Sequence, residues 1–208
     1  MCQQQDERVQ TIDDEASKLH RTRRVKFVGQ KLALLRGINV AGKTRVGMSQ
    51  LRDLFQELGH TDISTYLQSG NVVFNTIDRS PDQIVANLEK EIALTFGFPV
   101  TVLLRSPKDL TRVLNSNPYV QIEPEPTKLH VTFLEEKPTG AKLSRLEIPV
   151  TETARFNVSG REIFLHCPDG YGNTKLNNNF FERRLGMQAT TRNWKTVTAL
   201  HEMLGGLN

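Results

Sequence analysis

The sequence predicts an α+β protein made of two ferredoxin-like halves, each of the β-α-β-β-α-β type with an antiparallel sheet, followed by C-terminal helices. Three observations carry this. Apolar runs of strand length and stretches of helical period alternate in the order β-α-β-β-α-β over residues 31–104. The two central strands adjoin through Ser69-Gly70-Asn71, a link too short for a parallel crossover, so they pair antiparallel. A second turn, Ser159-Gly160, is followed by Phe164 at the offset that separates Ser69-Gly70 from Phe74, which marks the second half as related to the first.

The elements follow in order. Lys31–Ile38 is an apolar run of strand length, and Leu51, Leu54, Phe55 and Leu58 form a helical stripe that Gly59 ends. Ile63–Gln68 and Val72–Asn75 read as a hairpin. Ser80-Pro81-Asp82-Gln83 is a capping box with proline at the first helical position. Ile84, Leu88, Ile92 and Phe96 then share one helix face up to Gly97, and Val100–Leu104 completes the unit as a strand. Ser106-Pro107-Lys108-Asp109 opens a further helix, and Glu123-Pro124-Glu125-Pro126 reads as a stiff connector. The second half offers a strand at Lys128–Leu134, a weak helix at Pro138–Leu146 and strands at Ala154–Val158 and Glu162–His166. Thr174 and Asn193 are candidate caps of two final helices, whose Phe180, Phe181 and Trp194 belong in the core. The expected division is a flexible leader over residues 1–30, a first half over 31–120, and a second half with the C-terminal helices over 121–208.

Composition narrows the function classes. Hydrophobic residues are 38% and charged residues 24% of the 208, as in an ordinary globular chain. That excludes a largely disordered, collagen-like or coiled-coil protein. No apolar run approaches the roughly 20 residues of a membrane span, and the N-terminus lacks the apolar core of a secretory signal. The expectation is a cytoplasmic protein with no membrane partner. Cys2 and Cys167 are the only cysteines, too few for a disulfide scaffold or a cysteine zinc site. The histidines show no H-x-x-x-H spacing, so no metal site is expected. The net charge is +4, concentrated in residues 31–60 and 171–208, which carry +3 each around an acidic middle. Two basic segments point to an anionic partner if the fold brings them together, and to mere solubility if it does not.

Gly37-Ile38-Asn39-Val40-Ala41-Gly42-Lys43-Thr44 fits the phosphate-loop string G-x-x-x-x-G-K-[ST] letter for letter. Its context argues against it. Arg45-Val46-Gly47 follows where a helix should open, the neighbouring hairpin implies an antiparallel sheet, and no good acidic magnesium ligand ends a second buried strand.

A different account rests on longer blocks. Leu34-Leu35-Arg36-Gly37-Ile38-Asn39-Val40 with Gly42-Lys43, Met48 and Leu51-Arg52 resembles the opening of the bacterial family known as domain of unknown function 1697. Tyr66–Phe74 resembles its second block, and Lys175–Glu182 with Ala189–Val197 its C-terminal block, so the resemblance covers about residues 31–204. It implies a ferredoxin-like α+β fold and leaves Thr44 as a coincidental completion of the phosphate-loop string. It implies no reaction and no cofactor, since no activity is established for the family.

Arg36, Asn39, Lys43, Gln68, Ser69, Asn71, Lys175, Asn177, Arg192 and Asn193 form the candidate site: polar and cationic side chains in loops and at helix starts. The reading they support is a module binding an anionic, phosphate-bearing ligand, either a nucleotide or a nucleic-acid backbone. Asn and Ser at such positions also cap helices and close turns. Two further readings stay open: a nucleotide hydrolase or kinase using Gly37–Thr44, and a structural module that self-associates as a homodimer through uncovered sheet edges. Whether the protein is an enzyme is undecided at this level.

Overall fold

The computed structural model describes residues 27–40, 44–77 and 80–205. The expected leader falls outside these residues up to position 26, as does Lys43. Strand β1 (Phe27–Leu35) already runs through the last residues assigned to that leader. It is followed by α1 (Met48–Glu57), β2 (Thr61–Tyr66), β3 (Asn71–Ile77), α2 (Pro81–Phe96), β4 (Val102–Arg105) and α3 (Pro107–Ser116). The second half contains β5 (Leu129–Leu134), α4 (Gly140–Leu143), β6 (Arg155–Ser159), β7 (Glu162–His166), α5 (Asn178–Leu185), β8 (Ala189–Asn193) and α6 (Trp194–Met203).

The fold is α+β, with two four-stranded sheets ordered β2-β3-β1-β4 and β6-β7-β5-β8. Every pairing is antiparallel. The same strand order arises twice, the order of a β-α-β-β-α-β ferredoxin-like unit.

Local chemistry sets the helix starts. Ser80 and Gln83 close a capping box on α2, and Ser106 and Asp109 close one on α3. Three layers of apolar side chains result. Ala33, Leu35, Val72 and Phe74 bury one face of the first sheet under α1 and α2. Leu134, Ile163 and Leu165 do the same beneath α5, where Phe181 and Leu185 meet them. The opposite faces of both sheets share the central layer, in which Leu32, Leu34 and Val73 join Val131, Phe133 and Phe164. Leu110 and Val113 of α3 and Trp194, Val197 and Leu200 of α6 fill it. Strand β5 is accordingly buried along its whole length, because both of its faces are covered.

Four details differ from the sequence reading. Strand β8 stands where no strand is predicted. Ala-Thr-Thr-Arg-Asn has no apolar alternation, and it becomes a strand by pairing with buried β5. Asn177, not Thr174, caps α5: its Oδ1 accepts from the Phe180 amide at 3.1 Å, while the Thr174 hydroxyl accepts from the Leu176 amide. The weak helix at 138–146 shrinks to the four residues of α4. The two Ser-Gly turns are not equivalent in space. The Leu35 amide bonds Gly70 and the Leu134 amide bonds Arg161, so Gly70 matches Arg161 rather than Gly160. A slip of one residue turns a strand's side chains over. Phe74 therefore packs under the helices of its half and Phe164 in the central layer.

Candidate functional site

Strands β4 and β8 each end near an arginine at the same register. Arg105 lies opposite Leu32 in β1, and Arg192 lies opposite Val131 in β5. Each crosses to the other half. The Arg105 Nε donates to Glu162 Oε1 at 2.9 Å, and its Nη2 donates to the carbonyls of Leu134 at 2.6 Å and Arg161 at 3.4 Å. The Arg192 Nε donates to Asn71 Oδ1 at 2.5 Å, and its Nη2 donates to the carbonyls of Leu35 at 2.8 Å and Gly70 at 3.4 Å. Leu35 and Leu134 end β1 and β5, and Asn71 and Glu162 begin β3 and β7. The exchange is thus reciprocal atom by atom, as in an isologous two-fold interface, here within one chain. Its formal charge differs at one partner: Glu162 neutralises Arg105, whereas Asn71 offers Arg192 only a neutral amide. The remaining acceptors of Arg192 are Ser69 O, Thr191 O and Thr190 Oγ1. Burial lowers the Arg192 pKa to about 10, so it remains charged at neutral pH.

At the Arg192 end a cleft of about 420 Å³ opens between Arg36, Gly37 and Val40 on one side and Tyr171 and Asn177–Asn179 on the other. Arg36 is gripped by Glu182 of α5, Nε to Oε1 at 2.5 Å and Nη2 to Oε2 at 2.6 Å. That bond pattern raises the Arg36 pKa further. The fork uses two of the five guanidinium N–H groups. Among the described residues the other three meet no acceptor, and the side chain is 31% exposed. The first turn of α5 lines the cleft with Arg36; Asn177 caps its Phe180 amide and Tyr171 meets that of Asn178, which leaves the Asn179 amide for a ligand. Tyr171, whose hydroxyl pKa is raised by burial, reaches the Asn178 backbone amide and stacks on His130 at 4.6 Å.

The predicted residues that the structure describes separate into four groups. Arg36 and Asn177 line the cleft. Ser69, Asn71 and Arg192 form the scaffold behind it: Asn71 is buried and donates to Tyr66 O and Ser69 Oγ while accepting from Arg192. Asn39, at φ +55°, ties the β1–α1 loop to the β2–β3 turn by donating to the carbonyls of Val46 and Gln68. Gln68 contributes that carbonyl from an exposed position. Lys175 and Asn193 stand elsewhere. Lys175 lines a smaller cleft with Thr151, Glu152 and Asp169, and Asn193 caps α6 while donating to Thr127 O. Lys43 lies outside the described residues. The described residues of the phosphate-loop string depart from what that loop needs: the Thr44 hydroxyl donates to Gly37 O at 2.7 Å, and α1 starts only at Met48.

Sequence reasoning missed Glu182, Tyr171, Arg105 and Glu162. An arginine closing the apolar run Val-Leu-Leu-Arg was a signal for Arg105. Its match to Arg192 becomes visible only once β8 is a strand. Among the described residues, no group of three or more His, Cys, Asp and Glu side chains could hold a metal ion, and no helix is long and apolar enough to cross a membrane.

A sequence model described as a protein of unknown function (DUF1697) matches residues 28–164. The match stops before Asn177, α5 and β8, and so before Glu182 and Arg192. A solved structure, that of the conserved bacterial protein SP0830 from Streptococcus pneumoniae, is similar at 27% identity and a TM-score of 0.65. The similarity covers 84% of this chain and 98% of that one. No curated protein matches the chain.

Proposed function

The chain belongs to the DUF1697 family, and from that premise we propose that it is a binding module for a phosphate-bearing anion, a nucleotide or a nucleic-acid backbone, held between Arg36 and the first turn of α5. The observation that carries the reading is the setting of Arg36. Glu182 fixes its guanidinium without using it up, and a pre-positioned fork with free N–H groups facing a helix N-terminus is suited to phosphate oxygens. Among the described residues that line the cleft none is acidic, Glu182 being engaged with Arg36, and its volume lies within the range of small-ligand sites, about 300–1,000 Å³. The polar asparagines at the mouth offer hydrogen bonds to sugar or phosphate.

The test is calorimetric titration with methyl phosphate, adenosine monophosphate and a short single-stranded oligonucleotide in about 20 mM salt. Saturable binding that weakens as salt rises is expected. Arg36→Ala is expected to lose about tenfold or more in affinity, the scale of one charge-assisted hydrogen-bond pair. Absence of saturable binding to all three probes at low salt overturns the reading.

A further inference from the structure

The two ends of the internal pseudo-two-fold have the same backbone and opposite charge. At the cleft end the matched positions are Arg36, Asn71, Arg192 and Glu182, two cations and one anion, net +1. At the other end they are Glu135, Glu162, Arg105 and Glu89, with Arg161 where the cleft end has Gly70, two cations and three anions, net −1. The correspondence is fixed by hydrogen bonds. The Arg36 amide bonds Thr101 O as the Glu135 amide bonds Gln188 O, and Glu182 accepts from the first amide of β8 as Glu89 accepts from that of β4.

We propose that Asn71 is a specificity-determining residue of the cleft: by leaving the buried charge of Arg192 unneutralised, it adds to the difference between Arg36 and Glu135 in making this end, and not its pseudo-symmetric twin, select an anion of the phosphate class. This rests on the reading of the cleft as an anion site.

The physical argument concerns where the field goes. Arg36 and Glu182 cancel each other, so this pair alone gives the cleft no net sign. Arg192 is 6% exposed and satisfies its donors with one amide, one hydroxyl and backbone carbonyls, none of which carries a formal charge. Its charge is therefore not screened locally. Its Nη2 touches the carbonyl of Leu35, the residue directly before Arg36, which places the charge directly behind the cleft wall. An ammonium or guanidinium surrounded by neutral dipoles acts on a nearby ligand through low-dielectric protein. At the other end Glu162 stands where Asn71 does and neutralises Arg105 directly at 2.9 Å.

The experiment uses the full chain and methyl phosphate, with Asn71→Asp, Arg192→Met and, as control, Glu162→Gln. Each variant is checked for native circular dichroism. Asn71→Asp keeps an oxygen for Arg192 Nε and adds the missing negative charge while giving up the amide's bonds to Tyr66 O and Ser69 Oγ, and Arg192→Met leaves those bonds in place and removes the positive charge at similar volume. Each is expected to weaken methyl phosphate binding about tenfold, the order of one charge's effect through protein of intermediate dielectric. Glu162→Gln is expected to leave affinity within about twofold. The reading is taken from whichever of the first two variants retains the native spectrum. Binding by the parent with unchanged affinity in that variant overturns the role of Asn71 and leaves the anion site standing. Absence of binding by the parent overturns the anion site itself, and with it this inference. An equal loss in Glu162→Gln also overturns it, since the effect then does not belong to the cleft end.

Discussion

Removing Glu162 tests the reciprocal arginine exchange as a stabilising device. Arg105 and Glu162 are 1% and 2% exposed, so solvent does not screen the pair. In Glu162→Ala the Arg105 guanidinium keeps its bonds to the carbonyls of Leu104, Leu134 and Arg161 and loses its counter-charge in the interior. Deleting one member of a buried pair costs about 3–5 kcal/mol. In a protein of this size about 1 kcal/mol corresponds to about 2–4 °C, so the melting temperature should fall by about 10 °C. Glu162→Gln separates charge from geometry. Its amide oxygen can still accept from Arg105 Nε, as Asn71 accepts from Arg192, and the expected cost is only about 1–2 kcal/mol. Equilibrium urea unfolding of the three proteins measures both. If Glu162→Ala costs less than about 1 kcal/mol, or if Glu162→Gln, which keeps the acceptor and loses only the charge, costs nothing measurable, the charge pairing across the halves does not stabilise them in the way argued here.

Other outcomes follow from the same geometry. Gly70 lies at φ +75°, and a Cβ there would stand 2.7 Å from Leu35 Cβ and from Ile38 Cδ1; Gly70→Ala should destabilise by about 2 kcal/mol or more, read by thermal melting. Burial holds the His130 pKa at about 4, below its ordinary 6.5. The unfolded chain therefore takes up a proton that the folded one refuses. The stability from keeping His130 neutral is full above pH 6.5 and is lost as pH falls toward 4, by about 3 kcal/mol in all; the difference in unfolding free energy between pH 7 and pH 4.5 should be smaller in His130→Gln. Burial pushes the Cys167 thiol up to about 12, so at pH 8 it should react with a thiol reagent only after denaturant is added, as followed by mass spectrometry.

Much of the architecture was determined by the sequence alone. The capping boxes at Ser80 and Ser106, the helical stripes they open and the strand runs around Leu34, Val73 and Val131 are local signals, and neighbouring residues suffice to produce them. The turn between β2 and β3 already required an antiparallel sheet. Arg36 and Asn177, named from the sequence, do line one cleft. Tertiary structure alone decided what the polar residues do there. Strand β8 has no apolar period and exists because buried β5 has an open edge, and without β8 the match between Arg105 and Arg192 is invisible. The partnership of Arg36 with Glu182 joins positions 146 residues apart, and that of Arg192 with Asn71 joins positions 121 apart. Sequence shows the charge of such residues but not the partners that neutralise it or leave it free. The charge at the two ends of the molecule differs at matched positions, Arg36 against Glu135 and Asn71 against Glu162, and that correspondence is set by strand register, which only the folded sheets define.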